Sequence, residues 1–358
     1  MSKKVVESIK QGRPSKPESI FLTSGNTLRD LMLGGGTGMG YKCGNIYNVV
    51  GSSSAGKTFV ALQGIVANHY KLGDTFVWNY DDCEEGFTFD VDAMYGMEVP
   101  IIGEDTRRSQ TVEDLYVNVR KFSDSLKKDQ VGMYIVDSLD ALVSKDTVDR
   151  GDERVKAHDK EKEFDVGTYG AAKQKFLSSE FFPDVASRIK DTNIVLVIIS
   201  QVRDKFNAGL YGKKETRSGG RALQFYCHTV EWLSVGDRKE MVTKSGLRAG
   251  VPIASNNNEK SKTKRPARSI YMVLDYSIGI DDIAGNIDFL YDLRTDAMGK
   301  LRGTIKKKIE WDGELYSREE LCNYIYDNQL EAELKQRVVD KWEERELEVI
   351  NPRKVRFV

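Results

Sequence analysis

The chain has 358 residues, 40% apolar and 30% charged, with a net charge of −1; it is too long for one small core, and any polyanion site must come from local clustering. Cys43, Cys83, Cys227 and Cys322 form no close pair, which argues against a disulfide framework or zinc spacing and suits a reducing, cytoplasmic setting. No apolar run approaches the roughly 18 residues of a membrane span, and the opening MSKKVVESIK lacks the apolar core of a signal peptide.

Residues 1–18 form a short basic segment, a candidate arm for docking on a second subunit. From Ile20 apolar runs alternate with helical patterns. NIYNVVG (45–51) reads as a buried strand, TFVALQGIVANHYKLG (58–73) as a helix ended by glycine, and TFVWNY (75–80) as a second strand. VEDLYVNVRKFSDSL (112–126) is helical. GMYIVDS (132–138) and NIVLVIIS (193–200) are further strands, separated by a helical stretch at 173–190 that Pro183 interrupts. DTVDRGDERVKAHDKEKEFD (146–165) is almost free of apolar residues and reads as a long exposed loop or partly disordered insertion. HTVEWLSV and SIYMVLDY fit extra strands in antiparallel arrangement. A helix is expected to start at Ser317, with Glu320 completing a capping box. Strands apolar throughout and alternating with helices imply an α/β fold with a mostly parallel sheet covered on both faces. The expected division is a core over 19–285 and a small C-terminal α/β domain over 286–358.

GSSSAGKT (51–58) matches G-x-x-x-x-G-K-[ST] between a strand and a helix. Glycines there let backbone N–H groups curl around phosphate oxygens, and the helix N-terminus adds its dipole. Gly51, Ser52, Ser53, Ser54, Ala55 and Gly56 would cradle ATP, Lys57 would neutralise the β and γ phosphates, and Thr58 would hold Mg²⁺. Asp137, at the end of its apolar strand, is the expected acidic partner of the metal. Asp81, Asp82, Glu84 and Glu85 follow the second strand, and one of them would activate water for hydrolysis; spacing alone does not choose.

With these pieces in place the chain resembles the RecA recombinase family, especially its phage UvsX-type members, over roughly residues 20–290. DCEEGFT looks like the family's Asp-x-Glu element and points to Glu84 as the water-activating group, with Asp82 a rival because one residue is inserted before it. IVDSLDALVSK is similar to the metal-binding strand and turn. ISQVRDKF…ETRSGGRALQFY resembles the second DNA-binding loop, and KSKTKRPARSIYMVLDYSIGID the segment whose lysines, here Lys262 and Lys264, reach a neighbouring subunit's nucleotide. The resemblance implies a RecA-like P-loop ATPase core, and Gln201 at its strand end would sense the γ-phosphate.

Beyond Gln201, residues 203–221 carry six basic side chains against two acidic ones. Arg203, Lys205, Lys213, Lys214, Arg217 and Arg221 would meet phosphates of single-stranded DNA, Tyr211 would stack on a base, and Gly219 and Gly220 would let the backbone rearrange. The charged segment near 145–170 lies where the family places its first DNA loop, and is either that loop or a solvated insertion. KLRGTIKKKIEWDGELYS could gather duplex DNA or be a solvated face. A lysine contact between subunits implies an open head-to-tail helical filament with ATP at the interface. The expected activity is a DNA-dependent ATPase that pairs single-stranded with duplex DNA and has no membrane partner. The rivals are a paralogue or mediator that binds without exchanging strands, a ring-forming helicase, and a small-molecule kinase indifferent to DNA.

Overall fold

A strand apolar on both faces must be covered on both sides, and a parallel sheet achieves this with its crossover helices. The computed structural model describes residues 19–36, 38–86, 90–97, 108–158, 171–204, 215–217, 219–236, 241, 245, 249–293 and 308–350. A two-strand entry, β1 (Phe21–Leu22) and β2 (Tyr41–Lys42), flanks helix α1 (Thr27–Gly34) and leads into β3 (Asn45–Gly51). Then come α2 (Lys57–Leu72), β4 (Phe76–Asp82), α3 (Val91–Tyr95), α4 (Val112–Ser125) and β5 (Val131–Asp137). Thr111 and Asp114 cap α4 reciprocally.

The charged segment differs from its expectation. Residues Lys145–His158 form a helix, α5, supported by an i,i+4 pair between Asp146 and Arg150; residues 159–170 lie outside the described residues. Helix α6 (Ala171–Phe176) passes through a π turn (Leu177–Phe181) into α7 (Phe182–Asp191). Pro183 does not interrupt a helix: it sits in the first turn of α7, where a missing N–H costs nothing.

The chain continues through β6 (Ile194–Asp204), β7 (Glu215–Arg217), α8 (Gly220–Tyr226), β8 (Thr229–Val235), β9 (Gly250–Ser261), β10 (Ser269–Asp275) and β11 (Gly279–Asp281). Helix α9 (Asp282–Leu290) follows, then hairpin β12 (Ile309–Trp311) and β13 (Glu314–Tyr316), α10 (Arg318–Asp327) and α11 (Glu331–Glu348). The sheet order is β11-β10-β9-β8-β3-β6-β5-β4, with β7 paired to β6 alone. Strands β8, β3, β6, β5 and β4 are mutually parallel. The segment HTVEWLSV, expected to be antiparallel, is thus parallel to β3 and turns antiparallel only toward β9; β9, β10 and β11 complete that antiparallel side.

Alternate residues of each central strand feed two cores. Met133, Ile135, Val195, Val197 and Ile199 face the layer of α1 and α2, while Tyr134, Val136, Leu196 and Ile198 face α4, α7 and α8. Helix α9 runs unbroken through residue 286, and Trp311, Leu321, Ile325, Val338 and Trp342 join the first core. Ser317 and Glu320 cap α10 as their spacing predicts. Among the described residues no helix is long and apolar enough to cross a membrane.

Candidate nucleotide site and basic hairpin

The loop between β3 and α2 takes the shape its glycines permit. Gly56 has φ 81°, and a Cβ there would stand 2.5 Å from Ile253 Cδ1, so only glycine fits this turn without strain. Lys57 is buried and its Nζ donates to the carbonyls of Gly51 (3.0 Å) and Ser52 (2.8 Å). Burial pushes its pKa down, against the pull of Asp137, Glu84 and Asp140. A cleft of about 310 Å³ opens here between residues 54–59 and, opposite, Leu274 and Tyr276.

Sheet register gathers the rest. Gly51 lies opposite Gln201 across β3–β6, and Asp82 lies opposite Asp137 across β4–β5. Parallel strands deliver their C-terminal ends to one edge, so these residues converge by pairing alone. Thr58 Oγ1 donates to Asp137 Oδ2 at 2.8 Å, and Tyr80 donates its hydroxyl to the same oxygen. Burial raises the Asp137 pKa, and these two hydrogen bonds oppose that shift. A hydroxyl and a single carboxylate leave most ligand positions to phosphate and water, which suits Mg²⁺.

The four candidate carboxylates separate clearly. Asp81 is fully buried and accepts from Ser109 N (3.0 Å), Ser109 Oγ (2.5 Å) and Tyr134 OH (2.7 Å), which consumes it structurally. Glu85 is paired with Arg108. Asp82 is 8% exposed, and its Oδ1 accepts from Gly86 N at 3.3 Å. Glu84 is exposed; its Oε1 accepts from Ser138 Oγ and, at 2.9 Å, from Gln201 Nε2. Gln201 is fixed from behind, its N–H donating to Asp140 Oδ2 at 2.8 Å.

Past Gln201, β6 leaves the parallel sheet and becomes one arm of a hairpin. Val202, Arg203 and Asp204 pair with Arg217, Thr216 and Glu215 of β7. Lys205, Tyr211, Lys213 and Lys214 lie outside the described residues, and Arg203 is placed by its backbone alone. Arg221 is exposed on α8. Arg217, expected to meet phosphate, is 7% exposed and bonds Glu259 at 3.2 Å as well as Asn48. Gly219 and Gly220 have φ 84° and 59°. A Cβ on Gly219 would press on Leu223 and Leu139, and one on Gly220 on Gln174, so these glycines serve close packing at the start of α8.

Lys262 and Lys264 are exposed beyond β9. Their loop is held on its other side by α11: Arg265 bonds Glu343 (2.9 and 2.8 Å) and Arg268 bonds Glu346 (2.7 Å). Lys260 instead caps the carbonyls of Gln224 and Phe225. Sequence reasoning missed Tyr80, Ser138, Asp140 and Tyr276. Asp140 and Ser138 were readable as polar residues directly after β5, whereas Tyr80 and Tyr276 carry no local signal.

The family model described as RecA N-terminal domain matches residues 5–281. Its match begins fifteen residues before the start of the resemblance read from the motifs. Protein RecA of Aquifex aeolicus is 29% identical over 244 residues, 66% of this chain and 61% of that protein; this chain therefore matches less than two thirds of that relative's length. Protein RecA of Bacillus thuringiensis is 25% identical over 337 residues (89% and 88%), and that of Deinococcus radiodurans 26% over 339 (92% and 82%).

Proposed function

The chain belongs to the RecA family, and from that premise we propose that it is a DNA-dependent ATPase of the recombinase type, allied to the phage UvsX-type members. It assembles head to tail on single-stranded DNA and tests incoming duplex by base pairing. The observation that carries this reading is the 2.9 Å hydrogen bond from Gln201 Nε2 to Glu84 Oε1, at the root of the β6–β7 pair, in a segment whose sequence carries six basic residues over 203–221.

The chemistry follows from the residues. Amides of the 51–58 loop and the Lys57 ammonium bind the phosphates, and in doing so Lys57 exchanges its two carbonyl partners for phosphate oxygens. Mg²⁺ held through Thr58 and Asp137 would neutralise charge on the β and γ phosphates. Glu84 orients the attacking water and accepts its proton. Gln201 competes for that same carboxylate, so a γ-phosphate that attracts the Gln201 amide releases Glu84 and moves the root of the hairpin. ATP binding thus orders the loop for DNA, and hydrolysis resets it. Lys262 and Lys264, exposed on a loop braced by α11, would extend to a neighbouring subunit's phosphates.

The test is the ATPase rate with and without single-stranded DNA, paired with electron microscopy in the presence of a slowly cleaved ATP analogue. Stimulation by DNA together with filaments supports the reading. A rate blind to DNA with no polymer refutes it, and rings in place of filaments would favour a helicase.

A further inference from the structure

Arg217 lies in the basic segment, yet its guanidinium is turned inward. It is 7% exposed and its partner Glu259 14%. One prong reaches Glu259 Oε1 at 3.2 Å, another the side-chain oxygen of Asn48. Glu259 is itself a junction, accepting also from Trp232 Nε1 at 2.8 Å and Gln224 Nε2 at 3.4 Å. Asn48 lies three residues before Gly51 on β3 and donates to Ile198 O (2.8 Å) and Ser200 Oγ (2.9 Å) on β6. Ser200 immediately precedes Gln201.

We propose that Arg217, Glu259 and Asn48 form a clamp that fixes the returning arm of the hairpin to the strand bearing the phosphate loop, making Arg217 a positioning residue and not a DNA ligand. The inference rests on the DNA-dependent reading above. The outgoing arm is governed by Gln201, and the returning arm is tied through Asn48 to the neighbouring Ser200. Both arms therefore answer to the same few residues of β3 and β6. The guanidinium reaches the two acceptors with separate nitrogens of a rigid planar fork; lysine supplies the charge from a single nitrogen without that geometry. A DNA phosphate could claim Arg217 only by leaving the half-buried Glu259 without its cation, which costs part of the pair's stabilisation.

The two roles predict opposite signs. The full chain is assayed for ATPase with and without oligothymidylate, and for oligothymidylate binding across a salt series, as wild type, Arg217→Lys and Glu259→Gln. With a clamp, both variants lose DNA stimulation by about tenfold, and the slope of log affinity against log salt stays at the wild-type value. If Arg217 is a phosphate ligand, Arg217→Lys keeps its stimulation and Glu259→Gln, which frees the cation, binds DNA more tightly; that pattern overturns the clamp. Arg217→Gln then lowers the salt slope by about 0.7, the share of one phosphate on a single strand. Arg217→Lys is the milder change and decides the matter alone if Glu259→Gln fails to fold. Wild type unresponsive to oligothymidylate would overturn the DNA-dependent reading itself, an outcome visible before any variant is compared.

Discussion

Replacing Glu84 by Gln keeps the shape of the side chain and removes its capacity to take a proton. Its Oε1 accepts from Ser138 and, at 2.9 Å, from Gln201, and a glutamine carbonyl in the same place accepts both. The ground state is therefore retained, and ATP and DNA binding should stay near wild type. What is lost is general base catalysis, typically 10²- to 10⁴-fold. At about 1.4 kcal/mol per decade that raises the barrier by roughly 3–5 kcal/mol. Single-turnover hydrolysis measures the rate, and microscopy with ATP itself should show longer-lived filaments. The rival is Asp82, opposite Asp137 in the sheet register and 8% exposed. If Asp82→Asn stops turnover and Glu84→Gln leaves it within threefold of wild type, the assignment of the water-activating carboxylate is wrong and the Gln201 coupling loses its basis.

Lys57→Ala should abolish nucleotide-dependent DNA binding, and unchanged binding in a filter assay would disprove the coupling. The Arg29–Glu231 pair is buried at 1% and 2% exposure and is joined by Tyr41, Val60 O and Ser255. Arg29→Ala should therefore destabilise the chain by about 3–5 kcal/mol in urea unfolding, because it strands a buried carboxylate; a loss under about 1 kcal/mol would contradict this. Replacing Lys262 and Lys264 together by Ala should lower ATPase in the assembled form while monomer ATP binding persists, and mixing with the Lys57→Ala chain would show whether sites are shared. Burial, then Lys262, Lys42 and Lys260, push the pKa of His228 down to about 4. The unfolded chain, with its histidine near 6.5, takes up the proton first, so stability should fall as pH drops from about 6.5 toward 4. His228→Gln should flatten that part of the pH–stability curve, and an unchanged slope would show that the histidine does not cause it.

The β3–α2 loop and its neighbouring strand ends were legible because their signals are local. The glycines of 51–58, the apolar strand before them and the acid at the end of the next strand each declare themselves within a few residues. β9 was missed because GVPIASNNNEKS has poor strand propensity. Its pairing with β8 and β10 overrides that, and Pro252 falls one residue outside the β8 ladder. The parallel direction of β8 was equally hidden, since an apolar run does not reveal the sense of its partner. Helix α5 reads as a loop because charge was weighed over the i,i+4 spacing of Asp146 and Arg150. The Arg217–Glu259 pair was not legible because the two residues are 42 apart in sequence. The different surroundings of the four acids likewise became visible only through the folded positions of Ser109, Tyr134, Arg108 and Gln201.

The continuation of β6 into a hairpin makes that strand a lever. Its stiff arm from Gln201 to Asp204 is about 10 Å long at 3.3 Å per residue, so a tilt of roughly 10° at the sheet edge swings the far end by about 2 Å. On the proposed function, a displacement too small to disturb the core would be amplified into one large enough to align or misalign this segment with a polynucleotide's repeat. On this view no hinge between domains is needed to report whether the triphosphate is intact.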